Sequence, residues 1–137
     1  MTKIGNIKSV GEMNEITEGS EFLKKLFLDK DQRKLYVQTW GGTNTTARAL
    51  KSIEEEYGNS KDWNAIQKKI SDKIVIYIIL DQDDSYGNYI AKKWPNIKII
   101  NDISNFWHFA YAWKFHTNEV NSLLQGDWLY KNIKSEH

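Results

Sequence analysis

The stretch Lys73-Ile-Val-Ile-Tyr-Ile-Ile-Leu80 constrains the fold more than any other part of the chain. Everything after its lysine is apolar, and most of it is β-branched. Such residues lose side-chain freedom in a helix and pack well on a pleated surface. The run lacks the polar alternation of a strand with one wet face, so it reads as a strand buried on both sides in a parallel sheet. It is far shorter than the roughly 20 residues that a membrane helix needs. A parallel neighbour can be reached only through a crossover, usually a helix, so the flanking sequence must supply helices and further strands.

It does. Leu35–Thr39 (LYVQT) reads as a strand that Gly41-Gly42 breaks. Asn44 or Thr43 is placed to cap a helix running to Tyr57, with Gly58 where a terminating glycine belongs. Asn59-Ser60 opens a further helix over 61–70, with Trp63, Ile66 and Ile70 as its apolar face. After Leu80 comes the polar turn Asp81–Ser85, a helix that Pro95 stops, and a short strand at Ile97–Ile100. The middle of the chain is therefore β-α-α-β-α-β, an α/β fold with a parallel sheet. Upstream, residues 1–19 are polar and carry Gly5, Gly11 and Gly19, which predicts a loop or loosely held arm. The domain proper is expected over 20–137, opening on a helix over 21–29 with Ser20 as its cap. Downstream of Asn101 the aromatic stretch Phe106–Phe115 has no clean period. Thr117 predicts a helix over 118–125 that Gly126-Asp127 ends.

Charge and composition narrow the functional classes. Lys and Arg number 19 against 18 Asp and Glu, a net charge of +1 with no basic stripe, so no nucleic-acid polymer is expected as a partner. The absence of cysteine removes disulfides, thiolate metal sites and cysteine nucleophiles. The N-terminal MTKIGNIKSVGEMNEI has no apolar core of a signal peptide, which as given points to the cytoplasm, and no run suggests a membrane partner. Six Trp and seven Tyr form a heavy aromatic load that serves either to fill a core or to offer stacking platforms for sugars, with Trp40, Trp107, Tyr111 and Trp113 as candidates.

Two junctions share one layout: TWGGTNTTARAL at 39–50 and LDQDDSYGNYI at 80–90 both pass from an apolar run through a polar turn into a helix. In an open parallel sheet both turns lie at the carboxyl ends of strands, where ligands collect. Gly41 and Gly42 would let something approach the main chain with no Cβ in the way. Asn44 opens the following helix, whose free N–H groups carry partial positive charge. Asp81, Asp83 and Asp84 offer carboxylates to a hard cation or to sugar hydroxyls. Each feature also has a purely structural reading. A glycine pair makes a tight connection, and aspartates around a turn act as caps or solvated charges. The glycine spacing is neither a dinucleotide fingerprint nor a P-loop, the aspartates do not fit a calcium-binding EF-hand loop, and His108, His116 and His137 have no metal-ligand spacing.

Taken together, Glu18-Gly19-Ser20, Trp40-Gly41-Gly42-Thr43-Asn44-Thr45 and Asp81-Gln82-Asp83-Asp84 resemble motifs of the nucleoside-hydrolase-like domain of bacterial proteins labelled cellulose-binding. The resemblance runs from about residue 9 to 135. It implies a Rossmann-like α/β fold of the nucleoside-hydrolase type. It implies a sugar or nucleoside as ligand, with Gly41, Gly42, Asn44, Asp81, Asp83 and Asp84 on the substrate side. It also implies calcium at the strand ends of the intact domain, with the main-chain carbonyl of Trp40 as one ligand. The chain departs from the family in lacking an N-terminal strand followed by an aspartate-rich loop, the part that supplies most calcium ligands. It therefore reads as the central part of such a domain, with strand edges left for self-association or for a complementary segment to cover. Three functions follow as expectations: hydrolysis of a ribosyl-type or related glycosidic bond, carbohydrate or cellulose binding without catalysis, and a purely structural remnant.

Overall fold

The computed structural model describes residues 2–134. The chain divides into two compact units, Met1–Asp102 and Ile103–His137.

The first unit is built on a three-stranded parallel sheet in the order β1 (Leu35–Thr39), β2 (Ile74–Ile79), β3 (Lys98–Asp102). Val37 pairs with Ile76 and Ile76 with Ile99, which sets the register across all three strands. Alternate residues of β2, namely Ile74, Ile76 and Ile78, join Leu50 and Ile53 of helix α2 (Asn44–Tyr57), Ile70 of α3 (Trp63–Lys73) and Phe27 of α1 (Glu18–Leu28) in one core. Each such isoleucine contributes about 2 kcal/mol by leaving water. Trp94 is buried in the same core and meets Trp63 edge-on at 5.3 Å. On the opposite face Val75 and Ile79 are buried, but Tyr36 and Ile100 of the flanking strands are exposed. The expected α/β class and parallel sheet are thus present.

The boundaries move for local reasons. α1 begins at Glu18 rather than after Ser20, because Thr17 is the cap. The Ser20 N–H donates to Thr17 Oγ1 (3.1 Å) and the Thr17 N–H donates to Ser20 Oγ (2.9 Å), a reciprocal capping box. α3 starts at Trp63 and runs without a loop into β2. Its last residue, Lys73, is buried, with its ammonium on Leu26 O (2.6 Å) and on the Asp29 carboxylate. Gly58 does follow α2, but with φ −59° it is right-handed and not a left-handed terminator. β2 stops at Ile79, since Leu80 takes φ +59°, a conformation rare for a branched side chain. The next helix is a π-helical turn, Tyr86–Ile90, continued by the short α4, Ala91–Lys93, and Pro95 follows as expected.

The N-terminal arm has no regular structure, yet it is held firmly. Asn6 is buried and all its polar groups are engaged. Its N–H donates to Thr45 Oγ1 (2.9 Å), its carbonyl accepts from Asn44 Nδ2 (2.9 Å), and its side-chain amide donates to Glu12 (2.9 Å) and Glu15 O (2.8 Å). Its Oδ1 accepts from the Thr17 hydroxyl (3.2 Å). The buried Arg48 guanidinium adds hydrogen bonds to Met13 O and Asn14 O, 3.2 Å each. Asn6→Ala is expected to cost about 2 kcal/mol in urea unfolding, since the buried side chain loses its bonds to Glu12, Glu15 O and Thr17 at once. A cost under about 0.5 kcal/mol would mean that the arm does not matter to the fold.

The second unit is made of short helices: α5 (Asn105–Ala110), a 3₁₀ turn at Ala112–Phe115, α6 (Asn118–Ser122) and α7 (Gly126–Leu129) leading into a π-helical turn at Tyr130–Lys134. Thr117 caps α6 as expected, through Val120 N–H (3.4 Å), but α6 ends at Ser122 and Gly126 opens a helix instead of closing one. The Ser122 hydroxyl donates to Glu119 O (2.6 Å), the local competition that makes serine a poor helix-interior residue. Trp107 stacks on Tyr111 at 5.5 Å. The side chain of Trp113 and all of His137 lie outside the described residues. Among the described residues, no helix is long and apolar enough to cross a membrane.

Candidate functional site

Because β1 and β2 are parallel neighbours, the two polar turns that follow them are brought to the same, carboxyl end of the sheet. What approaches Gly42 is a side chain of the protein itself. The Asp83 carboxylate accepts the N–H of Thr43 on Oδ1 and that of Asn44 on Oδ2, each at 3.0 Å. It thereby caps α2 across the loop, while Thr43, the residue at the cap position, makes no side-chain cap bond of its own. Oδ1 also accepts the Ser85 N–H at 3.2 Å. A Cβ on Gly42 would lie 2.0 Å from Asp83 Oδ2, so Gly42 is the space into which the carboxylate fits. Gly41, by contrast, is exposed, with nothing within 4 Å of where its Cβ would stand.

Asp83 is buried, and burial pushes its carboxyl upward. Hydrogen bonding at Ser85 and the N–H groups of Thr43 and Asn44 outweigh that effect and hold it below the ordinary carboxylate range. Asp81 does for the next helix what Asp83 does for α2. Its carboxylate accepts the N–H of Tyr86 (3.2 Å) and of Gly87 (2.8 Å). Asp84 is exposed at φ +58°, a conformation that aspartate tolerates, and its carbonyl accepts the Asn88 N–H at 2.9 Å. Asn44 is buried; its Nδ2 donates to Asn6 O and its Oδ1 accepts the Thr45 N–H, both at 2.9 Å.

The structure thus brings the strand-end candidates together but turns them in different directions, while Trp107 and Tyr111 belong to the second unit. Asp81, Asp83, Gly42 and Asn44 face the protein's own backbone. Trp40, with 64% of its surface exposed, Gly41, Gln82 and Asp84 face outward. Gln82, which the sequence did not single out, bridges the two loops by donating to Ile79 O (2.8 Å) and Trp40 O (3.3 Å). Only its place inside the DQDD turn could have flagged it. The arm residue Asn6, also missed, carries no motif at all.

Calcium coordination is a poor fit to this donor set. The Asp83 and Asp81 oxygens are directed at N–H groups, the Trp40 carbonyl accepts from Gln82, and among the described residues no three His, Asp or Glu side chains converge as a metal site.

Comparison with known proteins agrees with this architecture. No curated protein matches the chain. A solved structure of a nucleoside hydrolase-related protein from Saccharophagus degradans, described as associated with carbohydrate metabolism, is similar at 28% identity with a TM-score of 0.52. That likeness covers 63% of this chain and 20% of the other, so the chain spans about a fifth of that protein. Residues 1–137 match the sequence profile of the family described as "Cellulose-binding Sde182, nucleoside hydrolase-like domain". The chain belongs to that family of nucleoside hydrolase-like domains.

Proposed function

We propose that this chain contributes a carbohydrate-binding wall and not a hydrolytic centre. The observation that carries the proposal is the outward set at the strand ends: an exposed Trp40 ring beside the bare Gly41 backbone, tied to the neighbouring loop through Gln82. An exposed aromatic face beside accessible main-chain polar groups is the usual chemistry of sugar recognition, the ring stacking on C–H faces and the polar groups meeting hydroxyls. The carboxylates that could activate water, Asp81 and Asp83, are spent on helix caps.

Titration calorimetry with a cello-oligosaccharide and with ribose tests this. Trp40→Ala is expected to weaken binding about tenfold while leaving the circular dichroism unchanged, in line with about 1.4 kcal/mol for one stacked ring. Unaltered affinity in that variant would remove the proposal's basis. The reading also predicts that calcium and chelator leave the unfolding midpoint alike. A calcium-dependent rise would favour the alternative that the family membership supports, metal-assisted cleavage of a ribosyl-type bond, and nucleoside hydrolysis would then be assayed.

A further inference from the structure

The arm that precedes α1 crosses both strand-end loops. At residue 6 it lies on the amino end of α2, where the Asn6 N–H donates to Thr45 Oγ1 and its carbonyl accepts from Asn44 Nδ2, each at 2.9 Å. At residue 11 it lies on the loop after β2. Gly11 takes φ +69° there, and a Cβ on it would stand 2.6 Å from the Asp83 carbonyl oxygen. The arm is fastened by hydrogen bonds and hardly at all by apolar burial. Among its described residues, Met13 is the one large apolar side chain packed against the core. Ile4, Ile7, Val10 and Ile16 are 63, 80, 83 and 60% exposed. The ion pairs Lys3–Glu18 (3.7 Å) and Lys8–Glu15 (2.9 Å) lie near the surface and stabilise little. A segment held in this way separates from a folded protein without unfolding it, because water replaces each bond that is given up and little apolar surface is newly wetted.

We infer that the arm is a strap across the strand ends, which opens as a unit while the sheet and its helices stay folded, and that sugar binds the open form more tightly than the closed one. The inference rests on the sugar-binding reading of the same surface. In the closed form the main chain of Asn6 satisfies the Asn44 amide and the Thr45 hydroxyl. Opening frees both of these polar groups, a few residues along the chain from the exposed Trp40 ring.

Amide hydrogen exchange of the whole chain tests this. The Asn6 N–H should be at least about a hundredfold less protected than that of Ile76 at the centre of the sheet. A saturating cello-oligosaccharide should speed exchange at Asn6 further, because a ligand draws the population toward the form it prefers. A lock supplies the second measurement. The chain has no cysteine, and a Cβ on Gly5 would stand 3.4 Å from Thr45 Cβ, close to the separation of about 3.8 Å in a disulfide. Gly5→Cys combined with Thr45→Cys should therefore fasten the strap when oxidised and free it when reduced. The oxidised form should bind the cello-oligosaccharide at least about tenfold more weakly than the reduced form. Three results would each overturn the inference: Asn6 as well protected as Ile76, exchange at Asn6 unchanged or slowed by the sugar, or equal affinity of the oxidised and reduced forms. Should the double variant fail to fold or to form its bond, wild-type exchange with and without sugar decides alone. Should no sugar bind the wild type, the sugar-binding reading falls, while exchange without sugar still decides whether the strap opens.

Discussion

Gly42→Ala is expected to lower stability by about 3 kcal/mol in urea unfolding, whereas Gly41→Ala, one residue away, changes it by less than about 0.5 kcal/mol. The contrast is geometric. At Gly42 the added methyl would stand 2.0 Å from Asp83 Oδ2, 2.4 Å from its Cγ and 2.8 Å from its Cβ. No side-chain rotation clears all three, because they span the length of the aspartate. The carboxylate must leave, and the N–H groups of Thr43 and Asn44 are then left in a buried pocket without a partner. At Gly41 the methyl enters open space. Equal effects at the two positions would show that the glycines serve only to make the turn.

Asp83→Ala should cost a similar amount, about 3 kcal/mol, through the loss of charge-assisted bonds and the exposure of several unsatisfied donors. Asp83→Asn, which keeps the shape but not the charge, should lose less. The wild type and this variant should differ most above the unfolded carboxyl value and converge in acid. A carboxyl lowered on folding contributes stability that is fully present above its unfolded value, near 3.9, and disappears as pH falls through the folded value. The wild type should therefore lose this contribution steeply at the acid end, while Asp83→Asn shows a flatter profile there. Identical slopes would mean that Asp83 does not titrate with folding.

Much of the architecture was legible because it is local. The β-branched run of β2 declared a buried parallel strand, and Pro95 and the glycine pair marked real interruptions. The residues of the site could be located in the same way, as two polar turns after two strands. Their roles could not be read, because the partner of Gly42 and Asn44 is Asp83, about 40 positions on in sequence, and the partner of Asn44's amide is Asn6, about as far back. Composition does not encode such pairings. Asp83 has the residue type of a ligand and the geometry of a cap. The anchoring of the arm was hidden for the same reason: polar sequence without periodicity says loop, as it is, but nothing local reveals that Asn6 has a buried seat. Gly126 misled because a glycine's position in a helix depends on where the preceding helix ends, and Ser122 ended that one early.

The remote cap on α2 also bears on how the chain folds. A helix with a serine or threonine cap can be nucleated by its own neighbours, but α2 waits for Asp83, with the whole of α2, α3 and β2 strung between them. Closing that long loop is an entropic step that pays off only once β2 lies beside β1. α2 and the sheet should accordingly form in a single cooperative event, and a peptide cut from Leu35 to Gly58 should remain largely a coil.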